Sequence, residues 1–281
     1  MGNVWGVEED LRRWLAEDVG RGDRSTEAIS SLSPKNLKMR WVAKAPGVVA
    51  GLPFAGKVFQ LLDADSDWIC ELEEGSCCKP GQVIAQGSGS ASALLTGERT
   101  ALNLVMGLSG IATIARQYAD AIADLPAQLV DTRKTTPGLR NLEKYASRIG
   151  GARNHRMGLD DAVMLKDNHI TAAGGITRAV AAARERVPFT LSIEVETESL
   201  AQVKEALGAG PDIIMLDNMS LDEMKEAVAL IRRDGPRVKI EASGNITLET
   251  IRGVAETGVD FISTSAPITR SPWLDISMRV M

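Results

Sequence analysis

Six short runs rich in Val, Ile and Leu recur between residues 128 and 264, and the segments between them carry apolar residues at helical spacing. The runs cover 128–132, 162–166, 190–196, 212–217, 238–241 and 260–264, so their starts lie 34, 28, 22, 26 and 22 residues apart. Strands alternating with helices at this rhythm pack as a parallel sheet, and six in succession suit an α/β barrel. Helices are expected over 139–149, 177–187, 200–207, 221–232 and 248–256. Ser220 and Thr247 stand where an N-cap belongs, and Gly208, Gly235 and Gly258 where a helix ends.

Upstream the character changes. Residues 37–87 are rich in Val, Gly and Pro, with turn signals at Ala45-Pro46-Gly47 and Lys79-Pro80-Gly81, which predicts a small β-rich domain. A helical pattern over 97–125 follows, with Gly107 and Gly110 as expected breaks. The expected division is an N-terminal α+β domain over 1–108 and the barrel over 109–266, with 267–281 packing on the first domain.

Composition removes several classes of function. Lys and Arg number 32 against 37 Asp and Glu, so the net charge is 32 − 37 = −5, which argues against a nucleic-acid-coating protein. No stretch approaches the roughly 18 uninterrupted apolar residues of a membrane span, and the acidic start is not a secretory signal. Met1-Gly2 opens like a myristoylation site, but Gly6 stands where that motif needs Ser or Thr. Cys70, Cys77 and Cys78 are odd in number and clustered, which suits a reducing, cytoplasmic setting and a packing role. His155 and His169 are the only histidines, so a histidine-rich zinc site is excluded.

Strands of a parallel barrel are buried on both faces, so charges along them gather at functional C-terminal ends. Here the ends read Asp131-Thr132-Arg133-Lys134, Lys166-Asp167-Asn168-His169, Glu194 with Glu196, Asp217-Asn218 and Glu241-Ala242-Ser243-Gly244. Buried charges in this number require partners or a ligand. The early ends present cations and the later ones carboxylates, which predicts a ligand with one anionic lobe and one metal-chelating lobe. Arg and Lys hold carboxylates and phosphates through charge-assisted bonds of about 1.5–3 kcal/mol each. Glu196 and Asp217 suit a magnesium ion that retains waters and touches substrate phosphates. The Ser243-Gly244 turn, with a helix expected from Ile246, offers backbone amides to a phosphate.

The runs DTRKTTPGLR from Asp131, NHRMGL from Asn154, KDNHI from Lys166, IEVE from Ile193, IMLDNM from Ile214 and EASGNI from Glu241 resemble the quinolinate phosphoribosyltransferase family. GERTALN from Gly97, Glu17-Asp18-Val19-Gly20 and Leu274-Asp275-Ile276-Ser277 extend the resemblance over nearly the whole chain. It implies an incomplete, TIM-like α/β barrel beside a smaller β-rich α+β domain. The implied enzyme joins quinolinate to phosphoribosyl pyrophosphate with Mg2+, releasing pyrophosphate and CO2 and forming nicotinate mononucleotide for de novo NAD synthesis. It also implies a homodimer, or a multiple of dimers, with shared active sites.

Residue by residue, the resemblance assigns Arg133, Lys134, His155, Arg156 and Lys166 to the quinolinate carboxylates and neighbouring phosphates, and Arg99 to the partner's site. Glu196 and Asp217 fall to the ribose hydroxyls and the metal, the latter directly or through water. Ser243, Gly244, Ser263, Thr264 and Ser265 fall to the 5-phosphate. Lys134, Lys166, Glu196 and Asp217 are the expected catalytic set. Two departures stand out: the family's usual Gly-Gly reads Gly244-Asn245, and its last barrel turn reads Ser265-Ala266 followed by Thr269-Arg270.

Other features have plainer readings. Arg140, Lys144 and Arg148 repeat every four residues, as on a solvated helix face. His169 suits a capping or orienting role, and Trp5, Trp14, Trp41, Trp68 and Trp273 suit core packing or a dimer contact. Three alternative functions stay open at this level: a molybdate-transport-associated phosphoribosyltransferase, an aldolase using Lys166 as a Schiff-base lysine, and a noncatalytic sugar-phosphate-binding barrel.

Overall fold

All six expected strands form, and they join in one parallel sheet. The structure, a computed structural model, describes residues 6–32 and 34–281; Met1-Gly2 and Trp5 lie outside the described residues. The chain begins α1 (Val7–Val19), α2 (Arg24–Ile29), β1 (Asn36–Ala43), β2 (Gly47–Val48), α3 (Leu52–Leu62), β3 (Asp67–Cys70), β4 (Cys77–Cys78), β5 (Val83–Ser90) and α4 (Ala91–Asp120). It continues β6 (Gln128–Val130), α5 (Arg140–Ile149), β7 (Val163–Leu165), α6 (Asp167–Ala173), α7 (Ile176–Arg186), β8 (Ile193–Thr197) and α8 (Leu200–Ala209). It closes with β9 (Ile213–Asp217), α9 (Leu221–Asp234), β10 (Lys239–Ser243), α10 (Ile251–Ala255), β11 (Phe261–Ser263), α11 (Ala266–Thr269) and β12 (Ile276–Val280).

Two units divide these elements, the first comprising Met1–Ile114, Asn141–Gly150 and Ser271–Met281. Its main sheet is antiparallel in the order β12-β1-β5-β3, so the C-terminal strand pairs with β1. The core of this unit is built on Trp41, fully buried, with the rings of Phe59 and Trp68 edge-on to it at 6.3 and 5.1 Å. Helix α4 runs unbroken through Gly107 and Gly110. At Gly110 a Cβ would stand 2.1 Å from the Pro272 carbonyl oxygen, so this glycine permits a close backbone approach and ends nothing.

The sequence reading assigned 141–150 to the barrel, whereas this segment groups with the first unit. The expected solvated face of α5 holds only in part: Arg148 is exposed and Arg140 half-buried, but Lys144 is fully buried. Lys144 and Glu143 are buried with Leu142, Ala146 and Ser147, which leaves the exposed face to Asn141 and Arg148. Cys78 is buried, but Cys70 and Cys77 are exposed, so the packing role holds for one cysteine of three.

The second unit, Ala115–Arg140 and Gly151–Arg270, contains the parallel sheet in the order β6-β11-β10-β9-β8-β7. That is the circular order of a barrel opened between β6 and β7. At the open seam the backbone of Arg153 runs beside β6, donating to Leu129 O at 2.8 Å and accepting from Asp131 N at 3.1 Å. Helix α9 shows how sequence sets these layers: Met224, Ala227, Val228 and Ile231 form its buried stripe. Ser220 and Glu223 make a reciprocal capping box, and Gly235 is the C-cap.

Two helix ends differ from expectation. Helix α8 continues through Gly208 to Ala209 and stops at Gly210, which has φ 73°. Helix α10 starts only at Ile251, because Thr250 Oγ1 accepts from Thr247 N at 2.9 Å and closes a local turn first. The Ser243-Gly244 turn therefore does not lead directly into a helix N-terminus.

Candidate active site

Side chains alternate across a strand, so Glu194 and Glu196, Met215 and Asp217, and Glu241 and Ser243 share the inner face while Val195, Leu216 and Ala242 face outward. The parallel registers bring these inner positions level: Glu196 pairs with Met215, and Asp217 with Ser243. At the C-terminal ends of the strands all of them but Glu194 line a cavity of about 540 Å³. Every expected site residue except Arg99 lines it. Arg99 is exposed on α4 in the first unit.

One wall is cationic. Arg133 and Lys134 follow β6, and Lys166 follows β7. Arg156 is delivered by the segment at the open seam, which Asp131 organises from beneath. The buried Asp131 carboxylate accepts from Asn154 Nδ2 at 2.6 Å and from the His155 backbone amide at 2.8 Å. Arg156 Nη1 donates to Ala162 O at 3.0 Å. Burial first, and then the neighbouring Arg133 charge, lower the Arg156 pKa. Two guanidiniums that repel each other in a cavity wall form a site for an anion with more than one negative charge. Arg133 Nε is buried without a hydrogen-bond partner among the described residues.

Under this wall His155 Nε2 lies 3.2 Å from both Glu194 Oε2 and Glu241 Oε2. Burial opposes a charged imidazole, while the two carboxylates outweigh it and raise the pKa. The Arg156 amide, however, donates to His155 Nδ1 at 2.7 Å, which requires a lone pair there. We therefore assign the ring's one proton to Nε2, shared by both carboxylates. Charge in the trio is relieved at Glu194, whose pKa is raised by burial and by the Glu241 charge. The three ligand atoms lie within 4.8 Å of one another, but a protonated Nε2 offers no metal a lone pair. Both nitrogens of His155 are engaged within the protein, and the ring also lines the cavity.

The opposite wall is acidic. Glu196 is ion-paired with Lys166, and Asp217 presents its carboxylate from the last position of β9. Lys166 stands in an ion pair with a carboxylate and not in an apolar pocket, which disfavours the aldolase reading. Asp217 and Glu196 both offer hard carboxylate oxygens to the cavity, a donor set of the kind that Mg2+ accepts together with waters. Ser243, Gly244, Ser263, Thr264 and Ser265 complete the rim, with Gly244 at φ 95°. His169 accepts from Lys166 N at 3.1 Å and caps α6, as expected.

Sequence reasoning left Asn218, Asn245 and Glu241 out of the site and named Arg270 only as a further phosphate contact, and all four line the cavity. The charged strand end at Glu241 and the departures from the family pattern at Asn245 and Arg270 were the available signals.

Comparison with known proteins agrees with this geometry. Residues 23–109 match the family model "Quinolinate phosphoribosyl transferase, N-terminal domain", and residues 111–279 match the corresponding C-terminal domain. A "Probable nicotinate-nucleotide pyrophosphorylase [carboxylating]" of Synechocystis is 59% identical over 275 residues, covering 98% of this chain and 92% of the relative. The human "Nicotinate-nucleotide pyrophosphorylase [carboxylating]" is 40% identical over 269 residues, covering 95% and 89%. The crystal structure of NadC from Streptococcus pyogenes superposes with a TM-score of 0.92 at 42% identity, covering 98% of this chain and 96% of that one. With both domain models matched end to end, the chain belongs to the quinolinate phosphoribosyl transferase family.

Proposed function

We infer that the protein transfers phosphoribosyl from phosphoribosyl pyrophosphate to quinolinate with loss of CO2, giving nicotinate mononucleotide for NAD synthesis. The observation that carries this reading is one cavity with adjacent Arg133 and Arg156 on one wall and Asp217 and Glu196 on the other. A pyridine dicarboxylate suits the first wall and an activated ribose the second.

Arg133, Arg156 and Lys134 hold the two carboxylates and aim the ring nitrogen at the anomeric carbon. As the bond to pyrophosphate breaks, positive charge grows on the ribose, and the Asp217 carboxylate stabilises it. Asp217 and Glu196 would hold a magnesium ion, which when bound would neutralise charge on the leaving pyrophosphate. The amides and hydroxyls of 243–244 and 263–265 hold the 5-phosphate. The ring nitrogen is then positive, so the carbon–carbon bond to the adjacent carboxylate breaks with its electrons left on the ring carbon, which takes up a proton. Lys134 contacts that carboxylate. Nicotinate, with one carboxylate, leaves a cation unmatched, which supplies discrimination of order 10⁴ (~5.5 kcal/mol).

The assembly we propose is a homodimer in which Arg99 completes the partner's site. A cytoplasmic setting accords with three free cysteines, and among the described residues no helix is long and apolar enough to cross a membrane. The test is incubation with quinolinate, phosphoribosyl pyrophosphate and Mg2+, following nicotinate mononucleotide by mass. Product is expected only with all three present, and chelation by EDTA is expected to abolish it. Turnover of nicotinate in place of quinolinate would refute the reading.

A further inference from the structure

Asp217 does not stand alone at the end of β9. Its Oδ2 accepts from Asn218 Nδ2 at 2.7 Å, and Asn218 Oδ1 accepts from Asn245 Nδ2 at 3.1 Å. The polarity of this chain is fixed from one end. A carboxylate only accepts, so Asn218 turns its NH2 toward Asp217 and its oxygen toward Asn245, which must then donate.

The backbone is shaped around the same bonds. Among the described residues Asn218 and Asn245 are the non-glycine positions with positive φ, at 55° and 51°. That region costs an L-residue energy and is kept where surroundings over-determine it. Asn218 N donates to Ser243 O at 3.0 Å, so the turns after β9 and β10 are also joined through the main chain. Between them lies Gly244, where a Cβ would stand 2.2 Å from Asn218 Oδ1. Glycine at 244 makes room for the Asn218 amide, and asparagine at 245 gives that amide its donor.

We propose that Asn245 and Asn218 form a positioning relay that holds the Asp217 carboxylate toward the phosphoribosyl donor. The proposal rests on the donor reading above and explains why this chain carries Asn where its relatives' pattern has the second glycine. Neither asparagine takes part in bond making; both act through Asp217.

The test compares the native protein with Asn245→Gly and Asn245→Asp. Glycine accepts φ 51° without strain, so Asn245→Gly removes the donor while leaving the thermal midpoint equal or higher. Its dissociation constant for phosphoribosyl pyrophosphate, by calorimetry, and its KM for that substrate are expected to rise about threefold to tenfold. KM for quinolinate is expected to stay unchanged. Asn245→Asp cannot donate, competes with Asp217 for the Asn218 NH2 and adds negative charge, so its donor affinity is expected to fall further. A change below twofold in both variants overturns the relay. A native protein that binds no phosphoribosyl pyrophosphate overturns the donor reading itself, and the two failures are thereby distinct.

Discussion

Arg270, the C-cap residue of α11, faces the cavity beside Ser263–Ser265 and has no carboxylate partner among the described residues. A free guanidinium next to a rim of amides and hydroxyls adds a charge-assisted bond to a phosphate. Arg270→Ala is therefore expected to raise KM for phosphoribosyl pyrophosphate about tenfold and leave KM for quinolinate unchanged. An unchanged donor KM would dismiss the contact. What sequence could disclose at this scale was set by strand parity. Lys166, Glu196 and Asp217 are charges at the ends of buried strands, and a charge there demands a reason. The Asn245–Asn218 bond crosses between turns of neighbouring strands 27 residues apart, and no linear pattern encodes such a pairing. The engaged nitrogens of His155 were equally hidden, because they depend on two carboxylates brought in by β8 and β10.

At the scale of elements, α4 offers a matched pair of substitutions. Alanine for glycine inside an exposed helix stabilises by about 1 kcal/mol. At Gly107 the nearest atom to an added Cβ is Trp273 Nε1 at 3.6 Å, an ordinary contact, so Gly107→Ala is expected to raise the urea midpoint. At Gly110 the added methyl would meet Pro272 O at 2.1 Å, and overpacking of this kind costs about 1–3 kcal/mol. Gly110→Ala is thus expected to lower stability by a net of up to about 2 kcal/mol, and the urea midpoint with it. Equal behaviour of the two variants would contradict the close approach. The same contrast explains which elements were legible. Parallel strands buried on both faces write themselves as apolar runs, and capped amphipathic helices such as α9 write themselves as a stripe. Glycine is ambiguous in sequence: it ends α8 at Gly210 but passes unnoticed through α4 at Gly107 and Gly110. Lys144 on α5 is similarly silent, since a charge repeat looks solvated until another layer covers it.

For the whole molecule, the decisive question is whether one chain holds a complete site. The cavity's Arg and Lys residues, Arg133, Lys134, Arg156, Lys166 and Arg270, all come from the second unit, and Lys166 already answers Glu196. Arg99, exposed on α4, is not among the cavity's lining residues. If it serves the partner's site, Arg99→Ala and Lys166→Ala chains are each inactive alone yet complement each other. In a mixed dimer the Arg99→Ala chain keeps an intact barrel and borrows Arg99 from the Lys166→Ala chain, while the second site carries both lesions. Random pairing makes half of the dimers mixed, each with one working site of two, so co-expressed chains are expected to regain about a quarter of native activity. A guest chain bearing both substitutions distinguishes sharing from mere stabilisation. Paired with Arg99→Ala it leaves one barrel intact but has no Arg99 to lend, and no activity should return. Recovery in that control, or none in the first mixture despite dimers by sedimentation, would mean that Arg99 does not act across the subunits.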